Sequence, residues 1–508
     1  LARIILPMTQ VPEQALYTAA QVRELDRLAI EEAGIGGYPL MCRAGEAAFQ
    51  RLRFFWPGGS GRLVVLTGPG NNGGDGYVIA RLALEAGIDV TVIPATDPQS
   101  LKGDAARARA DWRAAGGEET GFEARLPGDT GLIVDALLGT GLTRAPEGRI
   151  AELIELANSH PAPVFAVDCP TGLDADDGQI LGLAMQAAHT STFVGRKRGL
   201  YTGQARAVTG RIHFERLRVP DAVYQGMTPS AFLIDRREVA DMLPPRQPTA
   251  HKGQHGHVML IGGDHGMGGA ILLAAESALR GGAGRVSLLT RPDHVAAALS
   301  RAPALLVRGI RRPGQARRAM AEADVIVLGP GLGQSRWGRG LWRLALDSGK
   351  ALVLDADALN LCARHGRRPP PGSVMTPHPG EAARLMGCGI AALEQKRFEH
   401  ARALADQWQS TVILKGAGSL VSAPDWPLRL CDIGNAGMAV AGMGDVLAGL
   451  VGALRAQGLD AREAATAAVW LHAAAGDLAA RELGPRGLQA MDLMAPIMRL
   501  ANPPEARR

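Results

Sequence analysis

Leu63-Val64-Val65-Leu66-Thr67, running directly into Gly68-Pro69-Gly70-Asn71-Asn72-Gly73-Gly74-Asp75-Gly76, is the stretch from which the fold of this 508-residue chain is read. The apolar run has the character of a strand buried on both faces of a parallel sheet. The glycines remove Cβ atoms that would hold a ligand off backbone N–H groups, and Tyr77 to Ala86 has a helical pattern. Strand, glycine loop and helix in this order present backbone donors to a phosphate. The spacing is not that of the GxGxxG dinucleotide fingerprint. Asn71, Asn72 and Asp75 add amide oxygens and a carboxylate that can orient a sugar hydroxyl or hold a hard cation. A hydrated turn built from turn-forming residues is the plainer reading of the same letters.

The rhythm repeats through the first half. Val90-Thr91-Val92-Ile93, Leu132-Ile133-Val134 and Val164-Phe165-Ala166-Val167 read as strands, and the last two end in Asp135 and Asp168. Ligands of an open α/β sheet collect at the carboxyl edge of its strands, so Asp135, Asp168 and the Gly68 loop are expected to converge there. Asp135 runs on to Gly139-Thr140-Gly141-Leu142, and Asp168 to Cys169-Pro170-Thr171-Gly172. One strand-end aspartate is commonly a helix cap; two beside glycine-rich loops point to a site. Upstream, Val22, Leu25, Leu28 and Ala29 fall at helical spacing behind Thr18, a pattern of packing more than of chemistry.

Gly70-Asn71-Asn72-Gly73-Gly74-Asp75-Gly76, Val134-Asp135 with Gly139-Thr140-Gly141, and Val167-Asp168-Cys169-Pro170-Thr171-Gly172 resemble the signatures of the NAD(P)H-hydrate epimerase family over about residues 15–217. The resemblance implies a Rossmann-like three-layer α/β/α domain in which Asn72, Asp135 and Thr171 surround K⁺. It implies that Asp168 touches the nicotinamide hydrate as acid and base, with Asn71, Asn72, Gly73, Gly74 and Asp75 and Gly139, Thr140, Gly141 and Leu142 cradling the substrate. Thr171 stands where the family usually has serine, which keeps the hydroxyl.

Between Leu217 and His251 the rhythm lapses and Pro220, Pro229, Pro244, Pro245 and Pro248 intervene, so two domains are expected, 1–225 and 226–508. It resumes at Val258-Met259-Leu260-Ile261, which leads to Gly262-Gly263-Asp264, and at Val325-Ile326-Val327-Leu328, which leads to Gly329-Pro330-Gly331-Leu332-Gly333. Leu352-Val353-Leu354 ends in Asp355, Val374-Met375 leads to Thr376-Pro377-His378-Pro379-Gly380-Glu381, and Val412-Ile413-Leu414 leads to Lys415-Gly416-Ala417-Gly418-Ser419. These loops are expected along one edge of a second sheet. His378 reads either as a donor facing a ligand or as a structural histidine, and Asp355 with Asp357 as an Mg²⁺ pair only by conjecture. Two of the six lysines, Lys252 and Lys415, fall in glycine loops, which favours anion contacts.

In Gly434-Asn435-Ala436-Gly437-Met438-Ala439-Val440-Ala441-Gly442-Met443-Gly444-Asp445, glycines crowd ahead of one carboxylate and an apolar helix follows. Taken alone, the stretch is equally a capped helix N-terminus and an anion site with a base attached. Together with His251-Lys252-Gly253, Gly269-Ala270 and the loops above, it resembles the ADP- or ATP-dependent NAD(P)H-hydrate dehydratases over about residues 226–500. That resemblance implies a ribokinase-like α/β domain using ADP, with Mg²⁺, as phosphoryl donor. It puts nucleotide on Lys415, Gly416, Ala417, Gly418, Ser419 and Gly444, and hydrate at Ala270, Gly331, Gly333, His378 and Asp445, with Asp445 as base. Met443 departs from the family's usual threonine, and Ala302-Pro303-Ala304 lacks its glutamate.

The function expected is repair of hydrated NADH and NADPH: epimerisation of the R and S hydrates, then nucleotide-dependent dehydration of the S hydrate, ADP becoming AMP and phosphate. A ribokinase-like small-molecule kinase fused to a Rossmann-like dinucleotide-binding module is the alternative. A dinucleotide sensor without turnover is another, against which two positioned aspartates speak.

Composition narrows the classes. The 65 glycines are not periodic, which sets aside collagen and simple linkers. A net charge of +5 spread along the chain is weak support for nucleic acid, and the densest basic run, Arg196-Lys197-Arg198, lacks stacking aromatics. That run reads as a solvated turn, or next as a contact to substrate phosphate. Five scattered cysteines without a CxxC pair argue for reduced thiols and against zinc. With no apolar run of about 20 residues and no signal-peptide pattern, a cytoplasmic protein is expected, and the family resemblance implies a homo-oligomer.

Overall fold

The run Leu63 to Thr67 is buried throughout, in a strand Arg62–Thr67 that pairs in parallel with Val90–Pro94 on one side and Thr130–Ala136 on the other. These belong to a computed structural model that describes residues 13–56, 59–121, 125–142 and 144–502. Contacts divide the chain after Ala231 into two compact units.

In the first unit six parallel strands lie in the order Val90–Pro94, Arg62–Thr67, Thr130–Ala136, Val164–Val167, His189–Phe193 and Arg211–Glu215. Alternate residues of the strands face opposite ways. Val64, Leu66, Ile133 and Ala166 pack with Leu153, Ile154 and Ala157 of the helix Gly148–Ser159. Val65 and Thr67 meet the helix Asn71–Glu85 at Gly76, where a Cβ would lie 3.3 Å and 3.1 Å from their side chains. The result is a three-layer α/β/α, Rossmann-like arrangement. The strand order reverses between Arg62–Thr67 and Thr130–Ala136, and the loops leaving those two strands meet. A Cβ on Gly68 would lie 1.7 Å from the Leu137 carbonyl oxygen.

The helix after Arg62–Thr67 starts at Asn71, with Gly70 as its N-cap, and not near Tyr77. Packing explains why glycines occupy its first turns. A Cβ on Gly73 would meet the Gly68 carbonyl oxygen at 2.2 Å, and one on Gly74 the Met41 sulfur at 2.7 Å. The amino-terminal helix Ala19–Arg27 follows the expected pattern: Thr18 Oγ1 accepts from Gln21 N at 3.1 Å while Thr18 N donates to Gln21 Oε1 at 3.0 Å.

The second unit opens with a helix Arg236–Met242, capped by Asp235 Oδ1 accepting from Glu238 N at 2.7 Å. Its parallel strands run Leu306–Gly309, Arg285–Thr290, His257–Ile261, Val325–Leu328, Ala351–Leu354, Val374–Met375 and Thr411–Leu414. The antiparallel strands Ser419–Ser422 and Arg429–Cys431 extend the sheet. Val258, Leu260, Val325, Val327 and Val353 share a core with the helices Gly268–Arg280, Met443–Ala456 and Ala461–Leu483. The alternate residues Met259, Ile261, Ile326, Leu328, Leu352 and Leu354 are buried too, so both sheet faces are covered. This is the ribokinase-like α/β unit.

Here the order reverses between His257–Ile261 and Val325–Leu328. Again the loops interlock: Gly263 N donates to Pro330 O at 3.2 Å and Asp264 N to Gly331 O at 2.6 Å. A Cβ on Gly262 would lie 2.0 Å from Pro330 O, whereas Gly269, inside a helix, has open space around it. Gly262→Ala is therefore expected to destabilise the chain by roughly 1–3 kcal/mol. Gly269→Ala should be neutral or stabilising by up to about 1 kcal/mol. Urea unfolding of the two variants beside the parent chain checks the contrast, and equal midpoints would contradict it.

Candidate active sites at two sheet edges

In the first unit, Asp135 ends its strand fully buried. Its Oδ1 accepts from Thr171 Oγ1 at 2.7 Å and Leu137 N at 3.2 Å, and its Oδ2 from Thr171 N at 2.8 Å. Burial pushes the carboxyl up to about 6, against the pull of these bonds. The Thr171 hydroxyl also receives Leu138 N at 3.0 Å, tying the two strand-end loops together. Asn72 is buried near by, and neither its Nδ2 nor its Oδ1 has a hydrogen-bond partner among the described residues.

Asp168 has φ 67°, a left-handed conformation uncommon outside glycine. Its Oδ2 accepts from Thr140 N at 3.4 Å, and the position of a Cβ on Gly139 lies 3.0 Å from that oxygen and 3.5 Å from Asn72 Cγ. Asp168, Asn72 and the Gly139 loop thus form one cluster. Gly141 has open space around it and Asn71 is exposed, so the cluster opens on the side where a substrate is expected. The Gly74 amide is donated to Gly70 O at 3.3 Å and is committed to the helix.

The basic run is not a solvated turn. Lys197 is 1% exposed in the short strand Arg196–Lys197 and its ammonium ion-pairs with Asp168 Oδ1, which also excludes the phosphate contact. Arg198 is buried and donates to Asp176 O at 3.0 Å. Two further carboxyls feel the same ammonium. Burial pushes Asp26 up to about 7, opposed by Lys197 and reinforced by Asp168. Burial, with Asp168 and Asp26, raises Asp75 well above the usual carboxylate range. Sequence reading passed over Asp26 and took Lys197 only as part of a basic run; for Asp26 the helical period that marks Val22 and Leu25 as buried offered the one signal, since Asp26 is one turn beyond Val22.

In the second unit, Lys415 Nζ donates to Asp355 Oδ1 at 2.9 Å, and Thr376 Oγ1 to the same oxygen at 2.8 Å. A Cβ on Gly444 would lie 3.1 Å from that ammonium and 3.7 Å from Asp355 Oδ2. Gly442, at φ 91°, holds the N-cap position of Met443–Ala456, so Asp445 stands inside the first turn and the capping alternative falls away. Burial raises Asp445 to about 7, with the Asp355 and Glu381 carboxylates adding and Lys415 opposing. Burial likewise lifts Glu381 to about 7. Burial alone would lower Lys415, but Asp355, Glu381 and Asp445 outweigh it and hold its ammonium above its ordinary range.

His378 has the structural role and keeps an exposed edge. Its Nδ1 accepts from Gly380 N at 3.0 Å as the cap of Pro379–Met386, while its side chain stays half exposed with Nε2 3.4 Å from Glu381 Oε1. Burial and the Lys415 charge lower its proton affinity, so the imidazole is neutral at neutral pH. Gly331 and Gly333 take φ of 58° and 69° beside the half-buried Ala270 turn, and a Cβ on Gly331 would meet Met267 O at 2.4 Å.

The loop Lys415 to Ser419 turns through Gly416 at φ 151° and Gly418 at φ 74°, leaving Gly416 and Ala417 exposed. The Ser419 hydroxyl donates to Gly416 O at 3.1 Å. Arg397, 1% exposed, lies beneath and donates to Lys415 O and Gly418 O, each at 3.4 Å, while paired to Glu394 at 2.7 Å. It went unnoticed in the sequence because nothing local sets it apart from other helical arginines.

Two expectations are corrected. Asp355 and Asp357 do not form a metal pair: Asp355 serves Lys415, and Asp357 accepts from Gly333 N at 3.0 Å and Gln334 Nε2 at 3.1 Å. No three His, Cys, Asp or Glu among the described residues are grouped to hold a metal. Lys252 lies in the turn Lys252–His255 that precedes the strand His257–Ile261, hence at the amino end of the sheet and away from Lys415.

A family model described as YjeF-related protein N-terminus matches residues 37–199, and one described as NAD(P)H-hydrate dehydratase matches residues 258–499. The chain is 45% identical over 498 residues to the bifunctional NAD(P)H-hydrate repair enzyme Nnr of Escherichia coli, covering 97% of this chain and 95% of that one. It is 42% identical over 488 residues to the enzyme of the same description from Coxiella burnetii, covering 96% and 99%. Among solved structures it is similar to a hypothetic protein from Streptococcus mutans, with TM-score 0.50 and 28% identity, covering 53% of this chain and 98% of that one. Because both matches occur in order and nearly the full length aligns with nearly full-length relatives, the chain belongs to the family of bifunctional NAD(P)H-hydrate repair enzymes.

Proposed function

We propose that the first unit interconverts the R and S hydrates at Asp168, and that the second dehydrates the S hydrate at Asp445 with ADP as phosphoryl donor. The observation that carries this reading is Asp445 itself: a carboxyl in the first turn of a helix, raised by burial to about 7, beside the partly buried Lys415 ammonium. Such a group takes a proton from a hydroxyl and gives it up again near neutral pH.

The hydrate carries its hydroxyl on the ring carbon beside nitrogen. In the first unit, Asp168 Oδ2 takes the hydroxyl proton as the C–N bond opens to a carbonyl, and passes that proton to the enamine nitrogen. After rotation the reverse transfer, from nitrogen through Asp168 to the carbonyl oxygen, accompanies reclosure on the other face. The Thr140 amide and the Gly139 loop hold the reacting edge against that oxygen.

K⁺ suits this site. Asp135 is a buried carboxylate served only by neutral donors, and the buried Asn72 carboxamide lacks a partner among the described residues. Asn72, Asp135 and Thr171 would hold the ion. Its charge would balance Asp135 and steady the substrate oxygen.

In the second unit, Asp445 takes the hydroxyl proton as the oxygen attacks the β-phosphorus of ADP and AMP departs. The ring nitrogen's lone pair then expels phosphate, and loss of a proton from the adjacent ring carbon restores the dihydronicotinamide. The Met443–Ala456 helix N-terminus and the Lys415–Ser419 loop supply donors to the phosphates. Among the described residues no three His, Cys, Asp or Glu are grouped to hold Mg²⁺, so a divalent ion would arrive on the nucleotide. Five free thiols suit a reducing compartment, and a homo-oligomer is the expected assembly.

The test of the whole is the decay of an epimer mixture of hydrated NADPH with ADP, ATP or no nucleotide, each with and without K⁺. Complete return to NADPH with ADP and K⁺ is expected, and return of about half, the S share, when epimerisation is blocked by Asp168→Asn. Full conversion by that variant would remove Asp168 from the mechanism.

Asp445→Asn is expected to lower nucleotide-dependent dehydration roughly 10²- to 10⁴-fold while leaving epimerisation intact. The ionised form is the base, so kcat/KM for dehydration should fall as pH drops through about 7, where Asp445 protonates. A flat profile between pH 6 and 8, roughly one unit either side of that value, would place the base elsewhere. Asp135→Asn should abolish any stimulation of epimerisation by K⁺; unchanged stimulation would move the ion to another site.

A further inference from the structure

The mechanism above uses Asp168 but leaves the group behind it without a task. Lys197 is among the largest fully buried side chains of the chain. Its ammonium donates to Asp168 Oδ1, to Thr192 Oγ1 at 2.9 Å and to Phe193 O at 3.1 Å. Three acceptors exhaust its three donors, so no N–H is left for a substrate phosphate. Burying an ammonium is costly unless it is paired, and its partner here is the carboxylate placed at the reacting centre.

We infer that Lys197 is a positioning residue for epimerisation: it grips Asp168 by Oδ1 and so presents Oδ2 to the Gly139–Thr140 edge where the hydrate lies. The inference rests on the assignment of Asp168 as the proton-moving group. Three observations carry it. The two carboxylate oxygens are divided, Oδ1 to the ammonium and Oδ2 to Thr140 N at 3.4 Å, a long contact that leaves it open to a proton. Asp168 sits at φ 67°, and a conformation this uncommon persists where surroundings fix it. Finally, the strand carrying Lys197 is itself clamped, because Gly195 leaves just enough room for Val22 and Leu25 of the first helix, 3.0 Å and 3.3 Å from where its Cβ would be.

The ammonium faces three carboxyls, those of Asp26 on the helix Ala19–Arg27, Asp75 on the helix Asn71–Glu85 and Asp168. Only Asp168 is bonded to it directly. One cation beside three carboxyls keeps its charge for the bonded one, and burial leaves the others to hold protons.

The test compares epimerisation of isolated R hydrate by the full chain and by Lys197→Met, with dehydratase activity as the measure of intact protein. A fall in kcat of roughly 10- to 100-fold is expected, with KM within about 3-fold. The acid limb of the pH profile should move to higher pH, because a carboxylate without its counter-ion is protonated more readily. In an Asp168→Asn background, adding Lys197→Met should change the residual rate less than about 2-fold, since the two act as one unit.

Unchanged kcat and profile in Lys197→Met, with Asp168→Asn inactive, overturns the inference and leaves Asp168 in place. Full activity in Asp168→Asn overturns the assignment beneath it instead. If Lys197→Met loses its cooperative thermal transition, Thr192→Val decides. That variant keeps the charge and removes one oxygen that aims it, so a kcat loss of about 3-fold or more at constant KM supports the inference, and no loss overturns it.

Discussion

Each sheet edge buries more carboxyls than ammonium groups, and the rest of both sites follows from that imbalance. Lys197 stands beside Asp168, Asp26 and Asp75; Lys415 stands beside Asp355, Asp445 and Glu381. Removing water from a charge is costly, and one ammonium offsets that cost for the carboxylate it bonds. The remaining carboxyls take up protons at higher pH than they would in water: Asp26, Asp445 and Glu381 near 7, and Asp75 well above its ordinary range. Proton-exchanging groups at neutral pH are thus a product of burial and counting, not of an unusual side chain.

What brings so many charges together is backbone closeness between the loops that leave neighbouring strands, the two points where strand order reverses among them. Gly68 against Leu137, Gly262 against Pro330 and Gly329 against Asp355 all leave less than a Cβ of space, 1.7 Å, 2.0 Å and 1.8 Å to the facing carbonyl oxygens. Loops held this tightly carry their strand-end side chains into one small volume. Hydrogen bonds then lock the loops pairwise, Thr171 to Leu138 in one unit and Asp264 to Gly331 in the other. A loop displaced by even one ångström would undo the alignment of base and hydroxyl.

The strands and the edge they share were legible because a parallel strand buried on both faces must be an uninterrupted apolar run, and the loop after it must be glycine-rich where backbones touch. The same glycines misled over the start of the helix at Asn71, since close packing of Gly73 and Gly74 writes the same letters as a loop. Asp168, Asp135 and Asp445 announced themselves by standing at strand or helix ends. Lys197, Asp26 and Arg397 did not, because each acquires its role from a partner distant in sequence. Lys197 and Asp168 are separated by 29 residues, and Arg397 and Gly418 by 21, a pairing set by topology and by no local pattern. His251-Lys252 shows the converse: a motif legible in the sequence lies at the other end of its strand from the site.

The two units put the same charge arrangement to different chemical use. In the first, the lysine bonds Asp168 itself, the carboxylate proposed to move a proton in a step that runs in both directions. In the second, Asp355 takes the lysine and Asp445 is left adjacent, raised to about 7. A base of that strength suits an irreversible step, because once phosphate has formed on the hydroxyl the proton need not return to the same oxygen. Lys415 meanwhile stays within reach of Gly444, close enough for its charge to stabilise a phosphate in the proposed site at the helix N-terminus. In the proposed mechanisms, placing the lysine one carboxylate away from the base distinguishes the phosphoryl-transfer site from the reversible proton shuttle built on a sheet edge of the same kind.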